Sequence, residues 1–488
     1  MGAGIETHDL LTAVRPDESP VLAVDLDGTL VKTDTLVESV ISVVSRSPWL
    51  LLVLPFWWLR GIAYLKRQVA LRTSLDVRFL PYRAEVVEYL KARRAEGCRL
   101  VLATAADQRI ARQIADYLGL FDQVLASDAI TNLNGRAKRD RLVREWGEKG
   151  FDYAGNSRRD LPIWASGRKA ILVDPSRSLV ARVTRIAQVD RVFEHRGPRL
   201  AGLLRALRPQ HWMKNLLVFA PLIAAHRMNE LGLLGKLALA FLALGCAASC
   251  GYLINDLHDL TADRQHPHKR SRPFASGDVS LSYGLAMIPI LFAVGCVLAN
   301  LISGLFFASM AAYLALSVMY SLWGRRIAIL DVIFLAGLYT MRVLAGSAAV
   351  VIWPSHWLLA FSSFLFLSLA LVKRYGELCI MKREEGEDAR ARAYELTDAE
   401  LLAAMGVSSG YLAVLVLALY INSDKAPILY GRYQLIWLLC PLLLYWISDI
   451  WLIAHRGKMP DDPVMFAIRD RTSRILLALM FVIGVLAL

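Results

Sequence analysis

The chain changes its hydrophobic pattern near residue 210. Before that point, short apolar runs of strand length alternate with segments in which apolar residues recur every three or four positions. The segment at 21–30 predicts a buried strand that ends in two aspartates and a glycine turn, and the run at 101–106 predicts a second strand. The segments at 84–96 and 109–118 predict helices. Because alternating strands and helices favour a parallel sheet covered by helices, the first two hundred residues predict an α/β domain.

After residue 210 the apolar stretches become long enough to cross a membrane. A spanning helix needs about 20 mostly apolar residues. The sequence therefore predicts an all-α membrane domain of about nine transmembrane helices, of which the first and last are short. Their limits are 213–226, 234–254, 283–301, 304–322, 328–350, 355–372, 402–421, 433–454 and 474–488.

Composition and charge agree with a half-membrane chain, since 56% of the 488 residues are hydrophobic and the formal net charge is +13. Most Lys and Arg residues of the second half fall in the loops after the second, fourth, sixth and eighth segments. The opposite loops carry only Arg227, Lys236, Lys425 and Arg432. The positive-inside rule then predicts a multi-pass protein of the bacterial inner membrane with the N-terminal domain in the cytoplasm. Orientation and phosphate binding account for the charge, so no nucleic-acid partner is expected.

Polar side chains follow the predicted strands of the α/β domain. Asp25 and Asp27 end the first strand, and Thr104 ends the second. Asp160 follows the third strand, and Lys138 comes after a GRAK turn. The working groups of such sheets collect at the carboxyl ends of the strands, so we expect these side chains to lie together.

The segment VLAVDLDGTL at 21–30 resembles the DxDGTL motif of the haloacid dehalogenase (HAD) phosphatases. The resemblance implies a Rossmann-like fold with a helical cap. It implies that Asp25 is the nucleophile that forms an aspartyl-phosphate, and that Asp27 protonates the leaving oxygen and then activates water. It also implies that Thr104 binds the phosphoryl group and that Lys138 offsets its charge. Asp160 would hold Mg²⁺ together with Asp25.

The fourth HAD motif departs from the frequent pattern GDxxxD. Here it is GNSRRD at 155–160, so Asn156 takes the place of a carboxylate. A neutral oxygen can still ligate Mg²⁺, and we expect a working phosphatase. The alternative is a degenerate scaffold or a regulatory module.

The insertion between the first two strands is long enough for a cap, at about 31–98. Its middle is the apolar run PWLLLVLPFWWL at 48–59, followed by Arg60, Lys66 and Arg67. The run is too short to span a membrane, but tryptophan beside basic residues is typical of the headgroup layer. Two interpretations are open. The run is either the core of the cap or a hairpin that lies on the bilayer and presents the phosphatase to a lipid-linked substrate.

The segment at 255–277 is the most informative part of the second half. Asp256, Asp259 and Asp263 stand at i, i+3 and i+7, so on a helix they line one face. They follow directly on an apolar segment, and a basic cluster follows at 269–272. Carboxylates at the end of a membrane helix are costly unless something offsets them, as Mg²⁺ carrying a diphosphate would. The alternative is a solvated acidic helix end followed by a positive-inside loop.

Asn255 and the three aspartates match NDxxDxxxD, the first signature of the UbiA superfamily of intramembrane prenyltransferases. Most members join an isoprenoid diphosphate to an aromatic acceptor and carry a second motif, DxxxD. Here that place has Asp331, but Leu335 stands where the second aspartate would fall. The chain is therefore more similar to the branch of decaprenyl-phosphate phosphoribosyltransferases. Further segments that resemble this branch are RPQHWMKNLLVFAPL at 208–222, LVKRYGEL at 371–378 and DPVMFAIRDRTS at 462–473.

This resemblance implies phosphoribosyl pyrophosphate as the donor and a polyprenyl phosphate as the acceptor. Asp256, Asp259 and Asp263 would bind Mg²⁺ and through it the diphosphate, and Asn255 would supplement or orient that shell. Departure of the diphosphate gives cation character at the anomeric carbon of ribose, and the lipid phosphate oxygen attacks there. The residues expected to bind substrate are Lys214, Asn255, Lys269, Arg272, Asp331, Arg342, Lys373 and Arg374.

Positions within the apolar pattern suggest roles for the substrate-binding residues. Lys214 precedes the first span, where a lipid phosphate would lie. Asp331 and Arg342 are ionisable groups inside an apolar segment, which makes them functional candidates. Asp331 would orient a ribose hydroxyl or complete a metal site, and Arg342 would hold a phosphate. Because the two residues are eleven positions apart, they are not expected to pair with each other. Lys373 and Arg374 would begin a loop that covers the donor.

Together these patterns predict a phosphatase domain at 15–190, a basic membrane-surface segment at 191–212 and a transferase domain at 213–488. The transferase product would carry a 5-phosphate, which the tethered phosphatase would remove on the same membrane face. Two other functions stay open. One is an aromatic-acceptor prenyltransferase with a HAD domain of unrelated or regulatory role, and the other is a membrane scaffold that recruits partners.

Overall fold

The computed structural model describes residues 20–128, 130–194, 199–266, 269–385, 390–391, 393–460 and 462–488. Within these ranges the chain forms two compact units. The first unit contains the residues up to Gly202 together with Leu257–Tyr283, and the second contains Leu203–Asp256 and Gly284–Leu488. The predicted start of the phosphatase domain, at 15–19, lies outside the described residues.

The first unit is built on a parallel sheet. Its strands are β1 (Val21–Val24), β2 (Arg99–Asp107), β3 (Gln123–Ser127), β4 (Phe151–Gly155), β5 (Lys169–Val173) and β6 (Gln188–Phe193). Their order is β3-β2-β1-β4-β5-β6, with every neighbouring pair parallel. Val24 at the end of β1 lies opposite Leu102 of β2 and Ala154 of β4. The predicted α/β architecture is confirmed, and the ends of these three strands meet.

Helices cover both faces of this sheet. The helices of residues 20–207 are α1 (Thr35–Arg46), α2 (Leu54–Leu59), α3 (Ile62–Ala70), α4 (Ala84–Ala95), α5 (Gln108–Leu118), α6 (Gly135–Trp146), α7 (Leu161–Ser166), α8 (Arg177–Val183) and α9 (Arg199–Leu207). Those that pack on the sheet are α4 to α8. Leu22 and Val24 pack into one apolar cluster, and Val21 and Ala23 pack into another. Because successive strand residues point to opposite faces, β1 is buried on both sides.

The cap consists of α1, α2, α3 and the 3-10 helix Pro48–Leu52 between β1 and β2. Val43, Leu50, Trp57 and Val69 form a small apolar cluster of their own. Other apolar side chains of the run at 48–59 are exposed, from 55% for Leu51 to 76% for Leu59. We call this exposed set the apolar cap face; its members are Trp49, Leu51, Leu52, Phe56, Trp58 and Leu59.

Helices dominate the rest of the chain. They are α10 (Ala220–Ala224), α11 (Leu231–His258), α12 (Leu260–Gln265), α13 (Leu281–Ile302), α14 (Gly304–Leu322), α15 (Leu330–Val350), α16 (His356–Glu385), α17 (Ala399–Ile421), α18 (Ala426–Leu429), α19 (Leu439–His455), α20 (Pro463–Arg469) and α21 (Arg471–Ala487). The short strands β7 (Arg390–Ala391) and β8 (Tyr394–Glu395) pair antiparallel. The remaining 3-10 helices are Val77–Phe79, Arg158–Asp160, Pro209–Phe219, Lys269–Ser271, Gly324–Arg326, Leu396–Asp398 and Tyr433–Leu438.

In the described part of the chain, seven helices are long and apolar enough to cross a membrane. They are Leu231–His258, Leu281–Ile302, Gly304–Arg326, Leu330–Val350, His356–Lys382, Leu396–Ile421 and Tyr433–His455. The predicted count of nine is not confirmed. The segment at 213–226 forms the 3-10 helix Pro209–Phe219 and α10 instead, because Pro221 cannot donate the backbone hydrogen bond of a continuous helix. The last predicted span corresponds to α21, which has only 17 residues.

The aspartate motif lies where α11 ends. This helix is apolar up to Ile254 and ends at His258, and α12 starts after Asp259. The expected single helix face is therefore interrupted at Asp259. Asp and Asn are weak helix formers that compete for backbone hydrogen bonds, which accounts for an interruption at this polar sequence.

Candidate catalytic sites

A buried network joins the ends of β1 and β4 in the first unit. Lys138 Nζ donates hydrogen bonds to Asp25 Oδ1 at 2.6 Å and to the Tyr153 hydroxyl at 3.0 Å. The Tyr153 hydroxyl donates to Asp160 Oδ1 at 3.1 Å. All four residues are buried. The structure thus brings together Asp25, Lys138 and Asp160, as the sequence predicts, and Tyr153 links them.

Asp160 is held by its own turn. Its Oδ2 accepts hydrogen bonds from the Ser157 backbone N–H at 2.9 Å, from the Ser157 hydroxyl at 3.0 Å and from the Asn156 N–H at 3.3 Å. Ser157 and Asp160 form a reciprocal capping box at the 3-10 helix Arg158–Asp160. The carboxylate therefore has a fixed position at the end of β4.

Asn156 lies against the DxDGTL turn. Gly28 has φ +77°, a left-handed conformation that glycine adopts without strain. A Cβ on Gly28 would lie 2.0 Å from Nδ2 of Asn156. Glycine is therefore required both for the turn and for the close approach of the Asn156 amide.

The two aspartates of that turn differ in their surroundings. Asp27 Oδ1 accepts a hydrogen bond from the Thr35 N–H at the start of α1, at 2.7 Å. Burial raises the pKa of Asp27 to about 7, and the nearby Asp34 carboxylate adds to the shift. Burial also raises the pKa of Asp25 to about 6, although Lys138 lowers it. Asp27 can therefore hold a proton near neutral pH, which suits an acid, while Lys138 favours the ionised form of Asp25.

A cavity of 510 Å³ opens over this network. Thr104 of β2 is fully buried, and its hydroxyl oxygen accepts a hydrogen bond from the Ala106 N–H at 3.0 Å. Its neighbours Ala105 and Ala106 line the cavity. The cavity walls come from the strand ends and from the cap. Its lining includes Asp25, Asp27, Thr35, Lys66, Lys138, Asn156 and Asp160.

Lys66 is a cavity residue that the sequence analysis did not single out as a site residue. From α3 of the cap its Nζ donates to the Ala105 carbonyl at 2.6 Å and to Asn132 Oδ1 at 2.8 Å. Burial lowers the pKa of Lys66, while Asp27 and Asp34 oppose that shift. Its local sequence carries no signal of this position, because a lysine in an amphipathic helix is usually solvated.

In the second unit, Asp256 binds an arginine. Both carboxylate oxygens accept hydrogen bonds from Nη2 of Arg208, at 2.7 and 2.9 Å, and Asp256 is 2% exposed. Arg208 has φ +53° and lies over the ring of Tyr252. This left-handed conformation is strained for arginine and is typical of a functional position. Asn255, the neighbour of Asp256, accepts a hydrogen bond from Arg325 at 3.3 Å.

Lys214 binds a carboxylate near the other end of the sequence. It forms an ion pair with Asp462, and its Nζ lies 5.6 Å from the centre of the Tyr339 ring. His211 Nδ1 lies 3.6 Å from Asp462 Oδ2. Burial, followed by the charge of Lys214, lowers the pKa of His211 to about 4, so this histidine is neutral at pH 7. Asp462 also caps α20 by accepting from the Val464 N–H. Asp462 is the first residue of the segment DPVMFAIRDRTS at 462–473, and no role was predicted for it from the sequence.

Asp331 and Arg374 form a fully buried pair. Two nitrogens of Arg374 donate to the Asp331 carboxylate, one of them at 2.9 Å, and the side chains are 1% and 0% exposed. Arg374 also donates to the Tyr320 hydroxyl at 2.8 Å and to Glu377 at 2.5 Å. The expectation that Lys373 and Arg374 begin a loop is wrong, because both lie within α16.

Arg342 binds neutral partners. It donates to Asn215 Oδ1 at 3.0 Å, to the Tyr313 hydroxyl at 2.7 Å and to the Leu338 carbonyl at 2.6 Å. The prediction that it does not pair with Asp331 is confirmed. None of these three partners carries a negative charge that would offset the buried guanidinium. A buried cation with neutral partners is typical of a site that binds an anion.

The second half of the aspartate motif belongs to the first unit. Asp263 is 4% exposed and accepts a hydrogen bond from Nη1 of Arg272 at 2.6 Å. Lys269 lies in the 3-10 helix Lys269–Ser271, between them in sequence. Asp259 precedes α12, and its backbone carbonyl accepts from the Asp263 N–H at 2.8 Å.

The chemistry of the carboxylates fits a divalent cation, because Mg²⁺ prefers oxygen ligands. Asp256 and Asp263 each bind a guanidinium, and Asp25 binds an ammonium, so all three carboxylates face cationic groups. Across the described ranges, no group of three or more His, Cys, Asp and Glu side chains is close enough to hold one ion. Loading with Mg²⁺ would therefore require these carboxylates to exchange partners.

The fold and these sites define a membrane transferase joined to an α/β hydrolase domain. The chain belongs to the UbiA prenyltransferase family, whose family model matches residues 216–469. The model of the haloacid dehalogenase-like hydrolases matches residues 22–164. The predicted fusion of these two families is confirmed, and the seven candidate spans are those of an integral membrane protein.

Three relatives are similar over most of their own length. The uncharacterized protein y4nM of Sinorhizobium fredii is 34% identical over 94% of this chain and 89% of its own. Nodulation protein NoeC of Azorhizobium caulinodans is 40% identical over 55% of this chain and 88% of its own. Decaprenyl-phosphate phosphoribosyltransferase of Mycobacterium tuberculosis is 30% identical over 57% of this chain and 91% of its own. The branch suggested by the sequence motifs is thus present among the relatives.

Proposed function

We propose that the chain transfers 5-phosphoribose from phosphoribosyl pyrophosphate to a polyprenyl phosphate, and that its HAD-like domain then removes the 5-phosphate. The proposed domains are a phosphatase at 15–190, a basic segment at 191–212 and a transferase at 213–488. The relatives named decaprenyl-phosphate phosphoribosyltransferase support the first reaction. Mg²⁺, when bound, supplies positive charge that holds the diphosphate and stabilises it as a leaving group.

One observation carries the choice of donor. Aromatic-acceptor enzymes of the family mostly use a second aspartate motif, and here Asp331 is clamped by Arg374 while Leu335 packs against an apolar core cluster. Asp331 is then suited to position Arg374, and Leu335 supplies no second carboxylate beside it. The proposed transferase ligands are Asp256, Asp259 and Asp263 for the metal, with Asn255 beside them.

Cationic side chains of the transferase have separate proposed tasks. Arg342, whose hydrogen bonds go to neutral groups, binds a phosphate of the donor or acceptor. Lys214 binds the lipid phosphate after releasing Asp462, and Lys373 and Arg374 add positive charge on α16. Lys269 and Arg272 bind donor phosphates, Arg272 by exchanging Asp263 for the phosphate.

Transfer at ribose needs little acid or base chemistry. The bond from the anomeric carbon to the diphosphate breaks as the lipid phosphate oxygen forms a bond to the same carbon. No strong base is required, because a phosphate is already anionic near neutral pH. Positioning and charge stabilisation by the side chains therefore carry the rate.

The proposed phosphatase reaction uses the buried network at the end of β1. Asp25 attacks the phosphorus of the 5-phosphate, and Asp27 gives its proton to the leaving ribose oxygen. Asp27 then takes a proton from the water that releases phosphate from Asp25. Lys138 and Thr104 hold the phosphoryl group, and Asp160 holds Mg²⁺ together with Asp25.

We further propose that the apolar cap face lies on the bilayer, where it brings the phosphatase cavity to a lipid-linked substrate. Six large apolar side chains exposed together are unusual on a soluble domain and typical of a membrane contact. The basic loops support a cytoplasmic orientation of both sites at a bacterial inner membrane.

The test uses the purified full chain with Mg²⁺, phosphoribosyl pyrophosphate and a polyprenyl phosphate, and follows lipid products by mass. Wild type should give polyprenyl-phospho-ribose, and Asp25→Asn should stop at the 5-phosphate. The matched control is Asp116→Asn, the same change at an exposed position, which should behave as wild type. The 5-phosphate from wild type and Asp25→Asn alike would refute the phosphatase role. No lipid-linked ribose from either would refute the donor and favour the aromatic-acceptor enzyme.

A further inference from the structure

Part of the transferase sequence is structurally a piece of the first unit. Leu257–Tyr283 groups with the residues up to Gly202 and not with the helices that precede and follow it in sequence. We call Leu257–Tyr283 the donor loop, since it carries Asp259, Asp263 and Arg272. The HAD-like domain therefore supplies packing partners to a segment that the proposed transfer reaction uses.

A buried ion pair fastens the donor loop to α1. Arg264 Nη1 donates to Glu38 Oε2 at 2.7 Å, and Nη2 donates to Oε1 at 2.6 Å. The two side chains are 6% and 1% exposed. Arg264 Nε donates to the Ala275 carbonyl at 3.1 Å, and Glu38 accepts the Thr33 hydroxyl at 2.5 Å. Two-point pairing fixes orientation as well as distance, and a buried charge that loses its partner is strongly unfavourable.

Close packing supports the same contact further along the donor loop. Gly277 has φ +74°, and a Cβ there would lie 2.8 Å from Lys32 Cβ and 3.2 Å from Pro81 Cβ. Lys32 Nζ lies 3.7 Å from Asp278 Oδ1. The loop thus contacts the start of the cap at a second place, where only glycine fits without strain.

Helix α1 contacts both the DxDGTL turn and the donor loop. At its first residue the Thr35 N–H donates to Asp27 of the phosphatase turn, and one turn later Glu38 binds Arg264. Arg264 directly follows Asp263, which binds Arg272. A displacement of α1 therefore reaches the acid of one reaction and a proposed metal ligand of the other.

We propose that Glu38 and Arg264 are positioning residues for the transferase, and that they hold Asp263 and Arg272 in place for the donor diphosphate. The HAD-like domain then orders the donor loop, a segment of the transferase sequence that belongs to its own compact unit. The identity of the donor rests on the proposed function, whereas the contact does not. Small misplacements of a catalytic group typically cost about 100-fold in rate.

The experiment uses the full chain in lipid nanodiscs and measures diphosphate release from phosphoribosyl pyrophosphate in the presence of polyprenyl phosphate. For Glu38→Gln we expect kcat/KM to fall by about 10- to 100-fold, with a higher KM for the donor and a higher Mg²⁺ requirement. Hydrolysis of p-nitrophenyl phosphate should persist. Combining Glu38→Arg with Arg264→Glu should restore part of the lost transfer, because the pair is rebuilt with reversed charges.

Asp152→Asn is the matched control. Asp152 forms a two-point pair with Arg168, at 2.9 Å for both bonds, and its side chain is 4% exposed. Its loss should disturb the same domain without touching the donor loop, so transfer should stay within twofold of wild type. Unchanged transfer in Glu38→Gln would overturn the proposal. If transfer and hydrolysis fall to the same extent, and do so in both Glu38→Gln and Asp152→Asn, the Glu38–Arg264 pair is only a general stabilising contact. That result would also overturn the proposal.

Hydrogen exchange of the donor-loop amides gives a readout that needs no substrate. Exchange should be faster in Glu38→Gln than in wild type, and unchanged in Asp152→Asn. If wild type releases no diphosphate from phosphoribosyl pyrophosphate, the proposed donor is refuted while exchange still decides whether Glu38 orders the loop. Equal exchange in Glu38→Gln and wild type would overturn the positioning role whatever the donor.

Discussion

Replacing the apolar cap face with serine should separate two kinds of phosphatase substrate. The variant Leu52→Ser, Phe56→Ser, Trp58→Ser and Leu59→Ser changes side chains that are 64–76% exposed, so the packing of the cap should survive. Burying one such side chain fully is worth about 1.5–3 kcal/mol. About two-thirds of each side chain is exposed, and we take half of that exposed area to enter the bilayer. Each side chain then contributes about 0.5–1 kcal/mol to bilayer binding. Four substitutions then remove about 2–4 kcal/mol of bilayer contact.

That loss corresponds to a fall of about 30- to 700-fold in the ratio of bilayer-bound to free cap. The assay compares kcat/KM for a lipid-linked phosphomonoester in vesicles with kcat/KM for soluble p-nitrophenyl phosphate. Hydrolysis of the lipid substrate should fall strongly, while hydrolysis of the soluble one stays near wild type. Ile130→Ser is the matched control, since Ile130 is 91% exposed but lies outside the cap. An equal loss for both substrates, or no loss for the lipid one, would refute the membrane contact.

Three further predictions concern the two sites. Asp256→Ala and Asp259→Ala should each abolish transfer without loss of membrane insertion, measured by diphosphate release and by membrane fractionation; a variant that transfers normally would contradict the proposed metal ligands. Asn156→Asp should lower the Mg²⁺ concentration for half-maximal phosphatase activity by about tenfold, because a carboxylate binds this cation better than an amide; an unchanged Mg²⁺ titration would place Asn156 outside the metal shell. Lys214→Met should raise KM for polyprenyl phosphate more than KM for the donor, and the reverse order would place Lys214 on the donor side.

The arrangement of the candidate site in the HAD-like domain was largely predictable because its signals are local. Strand-length apolar runs place Asp25 and Asp160 at strand ends, and parallel pairing of β1 with β4 brings those ends together. Tyr153, which links Lys138 to Asp160, escaped prediction because an inward residue of a buried strand has the same pattern as a core aromatic. Lys66 escaped because only the folded cap brings it to the cavity.

Pairing in the transferase half was less accessible to sequence reasoning. Arg208 and Asp256 are 48 residues apart, and no periodic pattern links positions so distant in sequence. Hydropathy also placed the end of α16 too early. Lys, Arg and Glu are good helix formers, so a helix continues to Glu385 after the apolar residues stop near Val372.

The Glu38–Arg264 pair has a consequence for the order of events during synthesis. The two residues are 226 positions apart, and the helix Leu231–His258 is made between them. At about 5–20 residues per second, the ribosome needs about 10–45 s to make this stretch. During that interval Glu38 lacks Arg264, the arginine that it binds in the complete protein. The contact between the cap and the donor loop can therefore form only after the first long membrane helix has been made.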